Sequence, residues 1–398
     1  MGEISNSYLF AERVKAVPNS LIGFMMRYGA RYPDVLSLGQ GTPLFPTPDF
    51  IYEYVISRAK KDPGVGMYAN PKIEAELKEL IAQEMEKSDG FCPAAENLCL
   101  TVGGIGGLYA ALMSLVQAGD EVIYFDPSYP LHLSQIHLTG ARPVFVSLKE
   151  SEKWAIDLEL LEKSITPKTK VILLTNPNNP TGTILTESEM HELTRLVINN
   201  QLILVLDEAY RFLSYDGSIF SPIKLPELRD RLVVCRSFSK EYAMTGWRIG
   251  FVYAPEQIVE KINEIQPYFC ISPPTPSIIA VIGALSDPRG LEARTGFIRE
   301  LMKSRETICR RLDRLPKLFS YVKPAGAYYV FPRILGLELA SLEVAKLLVD
   351  EARVVTIPGS SMGPSGEGHL RLSFAAPPDY IDRAFDRLEL FARNYKLL

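Results

Sequence analysis

Cysteine is scarce in this chain, and what there is forms no pattern. The five cysteines (Cys92, Cys99, Cys235, Cys270, Cys309) are scattered and odd in number, with no CxxC pair, and the four histidines make neither HExxH nor HxH. Zinc sites and disulfide frameworks depend on such spacings. No metal is expected, and the thiols read as separate and reduced, as in a cytoplasmic protein. Positive charge is not in excess either: at a net charge of −4 and a pI near 5.8, no global field draws nucleic acid or an anionic membrane. Runs such as Arg310-Arg311 lie in a helical pattern and read as solvated faces. No apolar stretch approaches the ~18–20 residues that span a bilayer, and the first residues lack the basic-then-apolar plan of a secretory signal. Met1-Gly2-Glu3-Ile4-Ser5-Asn6 follows a myristoylation start only loosely, because Asn6 stands where Ser or Thr belongs. Internal repeats, low-complexity tracts and a GxxxxGK(S/T) loop are all missing.

What remains is a globular composition, 47% hydrophobic and 23% charged over 398 residues, with length for about two domains. From Ser5 to about Tyr32 the pattern is helical, and Gly39-Gln40-Gly41-Thr42-Pro43 with the prolines beyond it reads as a loop. Phe50 to Ala59 and Ile73 to Lys87 have amphipathic helical spacing. Short apolar runs then alternate with helical ones from about Leu98 to Ala254: NLCLTV, EVIYFD, ARPVFVSL, KVILLTN, LILVLDEA, RLVVCRSF and IGFVYA. Most are continuous rather than alternating in hydrophobicity, as suits parallel strands covered on both faces. The last third mixes long helices, Arg294 to Leu312 and Tyr380 to Lys396, with short strands at VVTIPGS and HLRLSF. The expected fold is α/β, a largely parallel sheet sandwiched by helices with a smaller α+β domain. Its divisions are 1–45 (an N-terminal segment joining the small domain), 46–288 (large) and 289–398 (small).

Six segments carry candidate chemistry. In Ser237-Phe238-Ser239-Lys240 a strand breaks into a turn, and Arg248 follows eight positions after the lysine. A cation beside a desolvated lysine favours its neutral, nucleophilic form, while Ser237 and Arg248 offer donors to a phosphate; an ordinary exposed turn is the alternative. Asp207 ends a very apolar strand in VLDEAY, so it calls for a cation such as a protonated pyridine nitrogen, and Tyr210 offers a hydroxyl nearby. A magnesium carboxylate or a helix cap would serve as well. Asn179 lies in LLTNPNNPTG, a strand breaking into a turn. Gly103 to Gly107 is a flexible glycine turn opening a helix, where backbone amides form an anion site. A dinucleotide fingerprint fails there because Tyr109 replaces the third glycine, so a phosphomonoester cup is preferred, close helix–strand packing being the alternative. Tyr129, after the FDPS strand end, can stack on a planar ring or simply pack. Arg371, inside a strand of HLRLSF, needs an anion, either an amino acid carboxylate or a salt-bridge partner.

The ordered set Gly41, Tyr68, Gly103-Gly104, Tyr129, Asn179, Asp207, Tyr210, Lys240, Arg248 and Arg371 resembles the class I/II aminotransferases of the aspartate aminotransferase fold type, over about Val14 to Phe391. The resemblance implies pyridoxal 5'-phosphate as cofactor, with Lys240 as Schiff-base lysine and proton shuttle and Asp207 on the pyridine nitrogen. Asn179 and Tyr210 would bond the phenolic oxygen, and Tyr129 would stack on the ring. Gly103, Gly104, Ile105, Ser237 and Arg248 would hold the phosphate. Tyr68 would reach the neighbouring subunit's phosphate, and Arg371, Asn179 and Gly41 would grip the substrate carboxylate. It further implies a seven-stranded sheet, a homodimer with shared active sites, amino acid and 2-oxo acid substrates, and a place in amino acid metabolism. Ile73, Leu77-Lys78, Thr42, Leu44 and Ile105 depart from the common pattern; Ile105 and the Gly41 loop lie where a substrate side chain would sit. Carbon–sulfur lyases, cyclising synthases, decarboxylases and oxidases share the fold type and stand as the alternative outcome. An amine-sensing regulator lacks its DNA-binding module here, and a nicotinamide dehydrogenase rests only on the flawed glycine turn.

Overall fold

The apolar runs between Leu98 and Tyr253 assemble into one sheet, most of them buried along nearly their whole length, whereas Arg142–Lys149 toward one edge is only partly covered. The computed structural model describes residues 10–398, so the reading of Met1 to Asn6 lies outside the described residues. The strands are β1 (Leu98–Thr101), β2 (Glu121–Asp126), β3 (Arg142–Lys149), β4 (Ala155–Ile156), β5 (Thr169–Thr175), β6 (Ile203–Asp207), β7 (Leu232–Ser237) and β8 (Gly250–Tyr253). Their spatial order is β1-β8-β7-β6-β5-β2-β3-β4. Pairings among β3, β2, β5, β6 and β7 are parallel, whereas β8 runs antiparallel to β1 and β7.

Eight strands replace the seven expected. The additional β4 has two residues and pairs antiparallel with β3, forming the edge of the sheet, after a 3-10 turn over Glu150–Glu152 and two residues, Lys153 and Trp154, at positive φ. So short a strand carries no periodicity. The glycine stretch also differs from expectation: it is not a flexible turn but the first turns of a helix, Gly103–Leu115. Lys240 likewise sits on a one-turn helix, Phe238–Glu241, rather than in an open turn.

Beyond the sheet, Leu36–Ser37 pairs in parallel with Val354–Val355, and Leu370–Ser373 pairs antiparallel with both Tyr329–Val330 and Ile357–Pro358. The closing helix Pro378–Asn394 buries Ile381, Ala384, Phe385, Leu388, Phe391 and Ala392 at helical spacing. It lies along Pro288–Leu312, where buried Arg311 reaches Asp382, Asp386 and Glu389. No described helix is long and apolar enough to cross a membrane. Parallel strands put their C-terminal ends at a common edge, the usual place for a ligand in an open α/β sheet. Here the ends of β2, β5, β6 and β7 deliver Tyr129, Asn179, Asp207 and Lys240 to that edge.

Candidate active site

Lys240 is positioned by the end of β7. Ser237 caps the short helix, its Oγ accepting from the Ser239 amide at 3.2 Å, and this turns the lysine off the strand end. Its Nζ donates to the Gly41 carbonyl at 2.6 Å. Burial, then the positive charges of Arg248 and Arg371, push the amine down to about 8 against the opposing pull of Asp207. The amine therefore gives up its proton more readily than a solvent-exposed lysine does.

Asp207 ends β6 between Thr175 of β5 and Cys235 of β7. Its Oδ1 accepts from the Ala209 amide at 3.0 Å, and Oδ2 lies 2.9 Å from His132 Nε2, an ion-pair distance although the angle is poor for a hydrogen bond. His132 is 1% exposed; its Nδ1 lies 3.5 Å from Thr175 Oγ1, and its ring meets the Tyr129 ring edge-on at 5.3 Å. Sequence reasoning missed this histidine. The signal was its place three residues after Tyr129, which sets both on neighbouring positions of one helix start, Tyr129 being the cap of Pro130–Thr139.

A candidate anion site lies where the helix Gly103–Leu115 begins. Gly103 has φ +68°, and a Cβ there would stand 2.6 Å from Arg248 Nη2, so only glycine lets the guanidinium approach the helix N-terminus. Arg248 itself has φ +56° and is anchored by Nη1 donating to Thr245 O at 2.8 Å.

Arg371 is 1% exposed within its strand. Nη1 donates to Asn179 Oδ1 at 3.2 Å and Nη2 to Gly39 O at 2.8 Å, while buried Nε has no partner. The guanidinium carbon stands 4.6 Å over the Tyr329 ring. Tyr329 and Tyr210 hydroxyls meet at 2.9 Å, and Tyr328 donates to the Gly41 carbonyl at 2.9 Å. Neither Tyr328 nor Tyr329 is singled out by the sequence, where their doublet in GAYYVF belongs to no motif.

One cavity of about 210 Å³ gathers these groups. Gly41, Gly104, Ile105, Tyr129, Asn179, Asp207, Tyr210, Ser237, Lys240, Arg248 and Arg371 all line it, joined by Ile22, Thr175 and Tyr329. Gly103 stands beside it against Arg248. Tyr68 does not line it and is 72% exposed. A larger cavity of about 390 Å³ adjoins it, sharing Ser237 and Ala209, but the three cations face the smaller one. Lys240, Arg248 and Arg371 there meet a single carboxylate, Asp207, and among the described residues none of the three pairs with a carboxylate. Such an excess of positive charge in a partly enclosed cavity, with Arg371 fully buried, calls for anionic ligands. A phosphorylated pyridine aldehyde and a substrate carboxylate have the required charges, so the residues fit that pair. No group of acidic, histidine and cysteine side chains suited to a metal occurs among the described residues.

Residues 33–388 match the family described as aminotransferase class I and II. The chain is 33% identical to aromatic-amino-acid aminotransferase 2 of Thermococcus litoralis, covering 98% of this chain and 99% of that protein. Identity is also 33% to an aspartate aminotransferase of Pyrococcus abyssi, with 97% and 99% covered. Among solved structures, an aromatic aminotransferase from Pyrococcus horikoshii superposes with a TM-score of 0.87 at 33% identity, covering 94% of this chain and all of the other. Aspartate aminotransferase from Thermus thermophilus with maleate gives 0.88 at 28% identity, with 97% and 99% covered.

Proposed function

The chain belongs to the class I and II aminotransferases, and from that premise we propose how its own residues divide the work of moving an amino group between an L-amino acid and a 2-oxo acid. Pyridoxal 5'-phosphate, the cofactor of the family, supplies when bound an aldehyde that exchanges amines and a pyridinium ring that stores the electron pair left as the α-proton departs. Lys240 anchors that group and then, as a neutral amine, takes the α-proton on Nζ and returns it. Asp207 would keep the ring nitrogen protonated, its carboxylate oriented by His132, 2.9 Å from Oδ2, and by the Ala209 amide on Oδ1. Arg248, Ser237 and the amides of Gly103, Gly104 and Ile105 hold the phosphate at a helix N-terminus. Asn179 and Tyr210, which line the cavity, would serve the phenolic oxygen, and Tyr129 would flank the ring. Arg371, steadied by Asn179 and Gly39, takes the substrate carboxylate beside Gly41.

The supporting observation is a single cavity holding a lysine at about pKa 8, one carboxylate and two arginines without carboxylate partners. That the similar proteins above are aminotransferases favours amino transfer over the lyase, synthase, decarboxylase and oxidase outcomes. We place the protein in the cytoplasm, as a homodimer in amino acid metabolism. The exposed apolar side chains Met67, Tyr68 and Tyr268, at 70%, 72% and 90%, support self-association, in which Tyr68 would enter the partner's site. Borohydride should bleach the visible absorbance of the purified protein and add the cofactor's mass to Lys240. An amino acid alone should convert the aldehyde form to the amine form with one equivalent of 2-oxo acid; release of ammonia with the aldehyde form restored would identify a lyase instead.

A further inference from the structure

We propose that the larger cavity, of about 390 Å³, is an effector site for a small organic cation with an apolar body. This goes beyond the aminotransferase reading and concerns the space behind Lys240. The one-turn helix Phe238–Glu241 is the partition. Ser239 and Lys240 line the catalytic cavity, whereas Phe238 and Glu241 line the larger one. Two residues line both: Ser237, whose Oγ caps the helix carrying Lys240, and Ala209, whose amide donates to Asp207 Oδ1 at 3.0 Å. A ligand filling the larger cavity therefore bears on the supports of both Lys240 and Asp207. Its volume lies within the roughly 300–1,000 Å³ of ordinary ligand pockets.

The lining sets the ligand class. Ile81, Met85, Phe212, Phe251, Leu285 and Ile298 supply an apolar wall. The charged wall consists of Arg211, Arg236, Arg294, Glu84, Glu208 and Glu241, and these do not pair evenly. Arg236 donates to Glu208 Oε2 at 2.8 Å and to Asp89 Oδ2 at 2.7 Å, and Arg211 to Asp89 Oδ1 at 3.0 Å. There two guanidiniums meet two carboxylates. Arg294 alone serves two, its Nη1 donating to Glu84 Oε1 at 2.6 Å and to Glu241 Oε1 at 2.8 Å. That end of the cavity carries one negative charge more than the described residues of this chain neutralise. The Glu84 and Glu241 side chains are only 29% and 17% exposed, so water offsets the excess incompletely. Burial also holds the Glu241 carboxyl above its ordinary value, although Arg294 pulls it down. A protonated amine supplies the missing charge and a donor, while its hydrocarbon part covers the apolar wall. The exposed lining residues Ser88, Ser218 and Thr295 mark the opening. Met67, Tyr68 and Tyr268, which support self-association, do not line it.

The test uses the holoenzyme and N,N-dimethylbenzylamine, a tertiary amine that cannot condense with the cofactor's aldehyde. Its neutral carbon analogue is 2-methyl-1-phenylpropan-2-ol. In calorimetry the amine should bind at least about 10-fold more tightly than the alcohol, and Glu84→Gln, which leaves Arg294 one carboxylate, should remove that preference. Saturating amine should change the apparent affinity for a converted amino acid in the half-reaction by about 5-fold or more. Thr295→Trp narrows the opening; it should abolish binding of both compounds while the half-reaction without amine stays within about twofold of wild type. No binding to the wild-type holoenzyme, as when a second copy of the chain already fills or neutralises the cavity, would overturn the inference. So would equal binding of amine and alcohol, an unchanged preference in Glu84→Gln, or binding that leaves the half-reaction untouched. An effect that survives in Thr295→Trp would put the amine in the catalytic cavity and overturn it too. Failure of the aminotransferase reading shows separately, as failure of every amino acid to convert the loaded cofactor, and the calorimetry then still decides this inference.

Discussion

Lys240 Nζ donates to the carbonyl oxygen of Gly41 at 2.6 Å, across 199 residues of sequence, and the same oxygen accepts from the Tyr328 hydroxyl at 2.9 Å. The Lys240 amine is thus held by the N-terminal Gly/Pro loop as well as by its own helix. With no carboxylate to pair with and two arginines nearby, it is an amine that the fold prefers uncharged.

That preference sets a pH dependence. The folded value of about 8 lies below the ordinary 10.5, so protonated Lys240 opposes folding. The penalty is complete below about pH 8 and fades as pH rises toward the unfolded value. At about 1.4 kcal/mol per pH unit it amounts to roughly 3 kcal/mol. Cofactor-free Lys240→Met should resist urea better than the wild type at pH 7 by that order, with the gap closing between pH 8 and 10.5. A gap independent of pH would contradict the assignment.

Asp207→Asn should slow the half-reaction by about 10²–10³-fold, the usual scale for breaking a buried charge pair. His132→Asn should cost about 10-fold, because it disturbs the carboxylate without removing it. Since the two side chains lie 2.9 Å apart, the double variant should lose less than the product of the single losses. Multiplicative losses in stopped-flow measurements would argue that they act independently.

Arg371→Lys keeps the charge but loses the fork and its anchors on Asn179 and Gly39. The amino acid KM should rise about 30-fold or more while cofactor affinity, measured by equilibrium dialysis, stays near the wild-type value. A loss confined to cofactor binding would place Arg371 on the wrong ligand.

Gly103→Ala puts a Cβ 2.6 Å from Arg248 Nη2 at a φ of +68°, where an L side chain is strained. Affinity for pyridoxal phosphate should fall at least about 10-fold, with a stability loss of roughly 1–2 kcal/mol. Affinity for pyridoxal, which has no phosphate, should change little.

Behind β7, Asp89 is fully buried, with its Oδ1 and Oδ2 within 3.0 Å of Arg211 and Arg236. Burial alone would raise its pKa, but the two guanidiniums outweigh that and hold it well below the carboxylate range. The stabilisation is present above the ordinary value of 3.8 and is lost as pH falls below it toward the folded value. Asp89→Asn should lower stability at pH 7 by about 3–5 kcal/mol in urea titration and flatten this acid limb.

The sequence by itself determined the order of the chemical groups, because each is encoded locally. Asn179 stands in a turn that must follow an apolar strand, Asp207 ends another, and Ser237 caps the turn carrying Lys240. Parallel strands send such ends to one edge, so α/β order and a shared site were legible together. Tertiary structure alone decided what meets what across that edge. His132 beside Asp207, Tyr329 beneath Arg371 and Gly41 under Lys240 are contacts between segments far apart in the chain. Hydrophobic periodicity records which way a side chain faces; it carries no information about the partner it finds there. That is set by strand order and by packing, and with it the free charges that decide what the cavity can hold.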